Sequence, residues 1–267
     1  MLSIQVHFLP QSINACELRD AIVIVIDVLR ATTTIAAAIA AGAREVIPCG
    51  EISEAEAIFA KYAPGEAILG GERRGLPVPG FALGNSPRDY TPERVGGKTV
   101  VFTTTNGTQA LTRCQQAGRV YTAGFVNASA IVEATRKAST GRENQIHLLC
   151  AGTDGMITRE DVLLAGCLAQ KLAPFLDLPV GMAPEFGDEG AIAVAAWKEF
   201  LHRSDATDTT INAKQLAIAL GDSRGGHNLQ TLHLAGDIFD AAHVYRWNCV
   251  TELHLPTWTI RDTRPRK

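Results

Sequence analysis

None of the six cysteines (Cys16, Cys49, Cys114, Cys150, Cys167, Cys249) forms a C-x-x-C pair, and they lie scattered over 267 residues. That spacing argues against a zinc site and a disulfide framework, and for reduced, mostly buried thiols. Nor is there a basic excess. Lys and Arg number 25 against 28 Asp and Glu, the formal net charge is -3, and the one basic cluster is the short tail Arg264 to Lys267. General attraction to nucleic acid is therefore not expected. No apolar run approaches the roughly 20 residues that a membrane span needs. The run from Ala21 to Ile26 stops at Asp27, and the alanine-rich stretch after Thr34 ends at Gly42. The first residues show no export signal, so a soluble, cytoplasmic protein is expected. Aromatic residues are sparse at 6%, but 46% hydrophobic and 20% charged residues make an ordinary folding composition.

β-branched runs that end in polar or small residues alternate with alanine-rich stretches, which predicts an α/β fold: a largely parallel or mixed sheet flanked by helices. Strands are expected at 21–26, 98–102 and 145–149, with weaker ones at 45–48, 67–69, 120–123 and 250–255. Helices are expected at 33–41, 54–62, 108–117, 128–137, 159–172 and 191–202. Ser53 with Glu56 and Thr158 with Asp161 have capping-box spacing. Beyond about residue 179 the chain reads as mostly helical. It is either one domain over 1–267 or two intimately packed lobes with a boundary near 178, and no internal repeat is visible. The Gly- and Pro-rich stretch 70–92 is too long for an idle connection.

Candidate chemistry falls after the strands, whose carboxyl ends gather on one shared edge in a parallel sheet, where α/β sheets place ligands. Asp27 to Thr34 (DVLRATTT) follows the first strong strand. There Asp27 can hold Mg²⁺ or attack phosphorus, Arg30 can pair with phosphate oxygens, and the helix start offers N–H donors; the alternative is that Asp27 and Thr32 are helix caps. Thr103 to Thr108 (TTTNGT) offers an anion cradle through Thr104, Thr105, Asn106 and Gly107, or a simple turn. In Gly70 to Gly75 (GGERRG), Glu72 is a candidate metal ligand or base, with Arg73 and Arg74 to bind acidic groups; otherwise it is a solvated turn. Glu160, after Cys150 to Gly155 (CAGTDG), is free to reach a metal or to complement a helix dipole. Gly221 to Gly226 (GDSRGG), with Arg224, adds a further anion-binding turn. No nucleotide P-loop, Asp-x-Asp or Cys-x₅-Arg phosphatase motif occurs.

In these segments, together with Gly80, Phe81 and Gly84 to Pro87, the chain resembles the 2-phosphosulfolactate phosphatase family, the Mg²⁺-dependent phosphatases of coenzyme M biosynthesis. The resemblance covers nearly the whole chain, although Ala82 stands where an acidic residue often follows Gly-Phe in the family. It implies hydrolysis of (2R)-2-phospho-3-sulfolactate, or a similar small acidic phosphomonoester, to 3-sulfolactate and phosphate. On this reading Asp27, Glu72 and Glu160 hold Mg²⁺, or Asp27 is the nucleophile; Asp27, Arg30 and Glu72 are catalytic; and Arg73, Arg74, Thr104, Thr105, Asn106, Gly107 and Arg224 bind substrate. Two other readings stay open: a non-catalytic sensor of an acidic metabolite and, with less support, a phosphoryl transferase. A homodimer is the default oligomer.

Overall fold

The computed structural model describes residues 3–139, 145–176, 186–207 and 210–264. The lobe boundary expected near 178 lies outside these residues. After an edge strand β1 (Ser3–His7), the chain runs β2 (Ile22–Ile26), α1 (Ala31–Ala40), β3 (Glu45–Cys49), α2 (Ile52–Phe59) and β4 (Ala67–Arg73). A two-residue strand β5 (Leu76–Pro77) and a short helix α3 (Pro92–Val95) lead to β6 (Thr99–Thr103), α4 (Gly107–Arg113), β7 (Arg119–Ala123), α5 (Ala128–Ala138) and β8 (Gln145–Cys150). Helices α6 (Arg159–Leu172), α7 (Gly187–Arg203), α8 (Ala213–Gly221), α9 (Arg224–Thr231) and α10 (Ala235–Ala241) follow, then the hairpin β9 (Thr251–His254) and β10 (Thr259–Asp262).

The sheet order is β1-β8-β2-β7-β9-β10-β3-β6-β4-β5. Reading outward from the β9–β10 hairpin, the same plan appears on both sides. The chain holds two βαβαβ units, β2 to β4 and β6 to β8, and each flank sets the second and third strands of one unit on either side of the first strand of the other. Thus β2 pairs in parallel with β7 and β8, while β6 pairs in parallel with β3 and β4. The fold is an exchanged duplication about an axis through the hairpin, although the sequence shows no repeat.

Three successive antiparallel pairings, β7 with β9, β9 with β10 and β10 with β3, set the two parallel flanks in opposite senses. In a flat sheet the carboxyl ends of β2 and β6 would lie at opposite edges, contrary to the expectation of one shared edge. Strand twist changes this. Five steps separate β2 from β6, and at about 20–25° per step they turn one flank roughly 100–125° relative to the other. Helices α1 and α4 cross the same face of this twisted sheet. Helix α1 is about 15 Å long and bridges the roughly 19 Å between β2 and β3.

β2 is buried on both faces, which explains its unbroken apolar sequence. Ile22, Ile24 and Ile26 pack with α5, α6 and α7, while Val23 and Val25 pack with α1 and α4 residues and the central hairpin. A third, smaller core places α2 against Ile47, Cys49 and Val101. Five cysteines are buried and Cys16 is exposed; none forms a disulfide. No helix among the described residues is long and apolar enough to cross a membrane.

Candidate active site

The starts of α1 and α4 meet. A Cβ on Gly107 would lie 2.6 Å from the Ala31 Cβ and 2.8 Å from Asp27 Oδ2, so only glycine allows this approach. The two junctions are built alike. Asp27 Oδ1 accepts the Ala31 N–H at 3.1 Å, and Thr104 Oγ1 accepts the Thr108 N–H at 3.3 Å. The Asp27 N–H donates to Thr32 Oγ1, as the Thr104 N–H does to Thr108 Oγ1. Next along each loop, an amide is taken by a buried carboxylate. Val28 N–H donates to Asp161 Oδ1 at 2.9 Å, and Thr105 N–H donates to Glu72 Oε1 at 2.8 Å. The second oxygens of these carboxylates hold Gly152 N–H and Gly75 N–H.

Above this meeting point opens a cleft of ≈ 530 Å³ lined by Asp27, Leu29, Arg30, Glu72, Arg74, Gly75, Asn85, Thr105, Asn106, Thr153, Asp154, Gly225, Asn228, Leu229, Thr231 and Leu232. Asp27 is buried, and its carboxyl pKa is raised to about 7, chiefly by burial and then by the charges of Glu72 and Glu160; the Ala31 amide and Arg30 oppose the rise. Arg30 is 5% exposed. Its Nη1 donates to Asp237 Oδ2 at 2.8 Å and its Nη2 to the Gly75 carbonyl at 2.9 Å. The guanidinium therefore enters the cleft already paired.

Several expected residues stand elsewhere. Arg73 braces the scaffold, donating to the carbonyls of Glu72 and Gly50 and to Thr103 Oγ1. Arg74, exposed in the turn beyond β4 at φ +54°, is the arginine that borders the cleft. Thr104 and Gly107 are buried beneath it, and Arg224 is exposed outside its lining.

Glu160 lies against the start of α9. A Cβ on Gly225 would fall 2.0 Å from Glu160 Oε1, so the Gly221 to Gly226 turn receives the chain's own carboxylate. Burial raises the Glu160 pKa, opposed by the polar groups of Glu160 itself, Ser223, Gly225 and Thr158. Neither expected capping box forms. Helix α2 begins after Glu51, which leaves Ser53 inside its first turn. Asp161 turns to Val28 and Gly152 instead of capping α6, and its pKa is raised well above the usual range by burial and by the charges of Glu160 and Asp27.

The residues left fit a hard cation. Thr105 Oγ1 and Asn85 Oδ1, of residues that line the cleft, and Glu160 Oε2, of a residue outside that lining, are buried oxygens with no hydrogen-bond partner, and Asp27 and Glu72 border the cleft as well. Among the described residues, however, no three His, Cys, Asp or Glu side chains form a ready-made cage. Asn228 and Thr231 in the lining and Asp237 behind it carry no signal in the sequence; Thr153 and Asp154 stand in the Cys150 to Gly155 segment without an expected role, and Asp161 is expected there only as a cap.

The family model for 2-phosphosulpholactate phosphatase matches residues 7–255. A protein named probable 2-phosphosulfolactate phosphatase from Symbiobacterium thermophilum is 37% identical over 228 residues, covering 85% of this chain and 89% of its own. One of the same name from Synechococcus sp. strain RCC307 is 36% identical over 218 residues, 80% of this chain and 85% of its own. Another, from Caldanaerobacter subterraneus subsp. tengcongensis, is 41% identical over 166 residues, 62% and 67%. With the cleft built from the very segments that such a match spans, the chain belongs to the 2-phosphosulfolactate phosphatase family, a family of phosphoric monoester hydrolases.

Proposed function

We propose that the chain is a Mg²⁺-dependent phosphatase that hydrolyses 2-phospho-3-sulfolactate, or a similar small acidic phosphomonoester, to the hydroxy acid and phosphate. The observation that carries this reading is the charge balance of the cleft. Asp27, Glu72 and Asp154 line it against Arg30 and Arg74, and Arg30 is already neutralised by Asp237. A polyanionic substrate entering so acidic a site needs a further cation to offset the repulsion.

Asp27 and Glu72 would hold Mg²⁺, with Glu160 Oε2 as a third oxygen in reserve. When bound, the ion would neutralise phosphate charge and lower the pKa of a water for in-line attack. The rest falls to the chain itself. Arg74 at the rim attracts the dianion, Arg30 presents its remaining donor capacity beside Asp27, and the Thr105 hydroxyl has no competing partner within the protein. The Glu72 and Asp161 carboxylates hold the two loop amides, so the loops are set before substrate arrives, which is where phosphoryl-transfer catalysis gains most.

The test is phosphate release from 2-phospho-3-sulfolactate and a panel of phospho-hydroxy acids, with Mg²⁺ and with EDTA. Metal-dependent release, fastest with phosphosulfolactate, is expected. Release from none of the panel contradicts the reading.

A further inference from the structure

Helix α10 stands behind the cleft and reaches it through one side chain. Asp237, in the first turn of that helix, is 2% exposed and outside the cleft lining, and both of its carboxylate oxygens are taken. Oδ2 accepts from Arg30 Nη1 at 2.8 Å, and Oδ1 accepts from Ser86 Oγ at 2.6 Å. The helix is itself anchored: Ile238 and Ala241 are buried in the larger core, and Arg88 donates to Asp240 and to the Gly236 carbonyl. The carboxylate is therefore a fixed point, not a surface charge that follows its partner.

Arg30 meets a second fixed point. Its Nη2 donates to the Gly75 carbonyl at 2.9 Å, and the Gly75 N–H is held in turn by Glu72 Oε2. A guanidinium is planar, with its N–H donors in a rigid fork, so two bonds from different nitrogens to acceptors on separate elements set the plane and the direction of the donors left over. Desolvation offsets much of the attraction in a buried ion pair, which makes such a pair a weak source of net stability. We propose that Asp237 is a positioning residue for phosphoryl transfer: it does not meet the substrate, but it fixes the plane in which Arg30 offers its remaining donors to the phosphoryl group. This rests on the phosphatase reading for what Arg30 binds.

Two measurements test it. The first compares variants with 2-phospho-3-sulfolactate and Mg²⁺. In Asp237→Asn the amide oxygen still accepts from Arg30, and the Ser86 hydroxyl, which donates or accepts, turns to accept from the new NH₂. Asp237→Ala removes both bonds. The alanine variant is expected to lower kcat by about 100-fold, the cost of a catalytic group displaced by about 1 Å, with KM moved less than about threefold, and the asparagine variant to lower kcat by no more than about tenfold. With Arg30→Ala already present, Asp237→Ala should lower kcat by less than about threefold further, because nothing remains to be positioned. Equal losses in Asp237→Ala and Asp237→Asn, or the full loss in the absence of Arg30, overturn the proposal. Where Asp237→Ala fails to fold, Asp237→Glu takes its place: it keeps the charge but moves the acceptor, so kcat should fall further than in Asp237→Asn, and the reverse order overturns the proposal. The second is NMR of the Arg30 guanidinium, identified by the signals lost in Arg30→Ala. With both terminal nitrogens held, separate, slowly exchanging Nη–H signals are expected in the wild type and in Asp237→Asn but not in Asp237→Ala. That pattern supports the positioning by Asp237 even if no ester is hydrolysed; no separate signals in the wild type, or unchanged signals in Asp237→Ala, overturn it even if phosphatase activity stands.

Discussion

In one βαβαβ unit the junction after the first strand carries Asp27 and Arg30; in the other, the matching junction carries Thr104 and Gly107. Both loops make the same local bonds to the start of their helix, and both have the next amide held by a buried carboxylate. The backbone plan is shared while the chemistry is not. Asp27 brings charge to the cleft, and Gly107 brings only room, letting the second helix start approach that charge closely. The comparison teaches that the duplicated scaffold supplies position and that the difference between its copies supplies reactivity.

The sharpest way to break this contrast is to remove the charge from one copy and the hydroxyl from the other. Asp27→Asn is expected to lower kcat/KM by about 10³-fold or more in steady-state assays, as loss of a central charged group does. Thr104→Val should cost only about tenfold, because that hydroxyl serves the backbone. Equal losses would erase the distinction.

The two clamping carboxylates divide differently. Asp161 is fully enclosed, so Asp161→Asn sets an amide against a backbone N–H and should destabilise the fold by about 2–3 kcal/mol in urea unfolding. Glu72→Gln faces the cleft and should cost less stability than that, and more turnover than Asp161→Asn does. The reverse order would make Asp161 the cleft-side group. Gly107→Ala tests the approach itself, and the contact with Ala31 and Asp27 predicts a loss of about 1–3 kcal/mol measured by thermal melting.

The smallest effect lies at the sheet edges, where β1 extends one flank by five residues and β5 the other by two. His7 Nε2 and His147 Nδ1 lie 2.9 Å apart in a buried, stacked pair. Burial lowers the pKa of both, that of His147 to about 4, with the charge of His7 adding to the effect at His147. The unfolded chain binds protons near the ordinary value of 6.5 before the folded pair does. Stability is therefore intact above that pH and is lost progressively as pH falls toward 4. The urea midpoint should drop between pH 7 and pH 5 by more in the wild type than in His147→Leu; equal drops would assign the loss to other groups.

The strand ends were legible because fully buried strands are continuous apolar runs, so the Asp27 and Thr103 loops announced themselves. Their convergence was legible only in outcome. The inverted flanks depend on a C-terminal hairpin entering the sheet centre, a long-range pairing that no local pattern encodes. Asp161 shows how a local rule misleads: its spacing from Thr158 is that of a capping box, but a carboxylate 133 residues along the chain from Val28 serves that amide instead. Arg30's partner Asp237 is 207 residues away, and Asn228 and Thr231 border the cleft only through the way α9 packs. Asn85 stood in a segment already singled out, and its significance lies in what it does not bond, which only a structure displays.

The central claim is that the charge unique to one copy of the scaffold drives metal-assisted phosphate release. It is tested most directly by assaying wild type and Asp27→Asn with 2-phospho-3-sulfolactate, each with Mg²⁺ and with EDTA. The account predicts release only by the wild type with Mg²⁺; release that survives both EDTA and the substitution would contradict it.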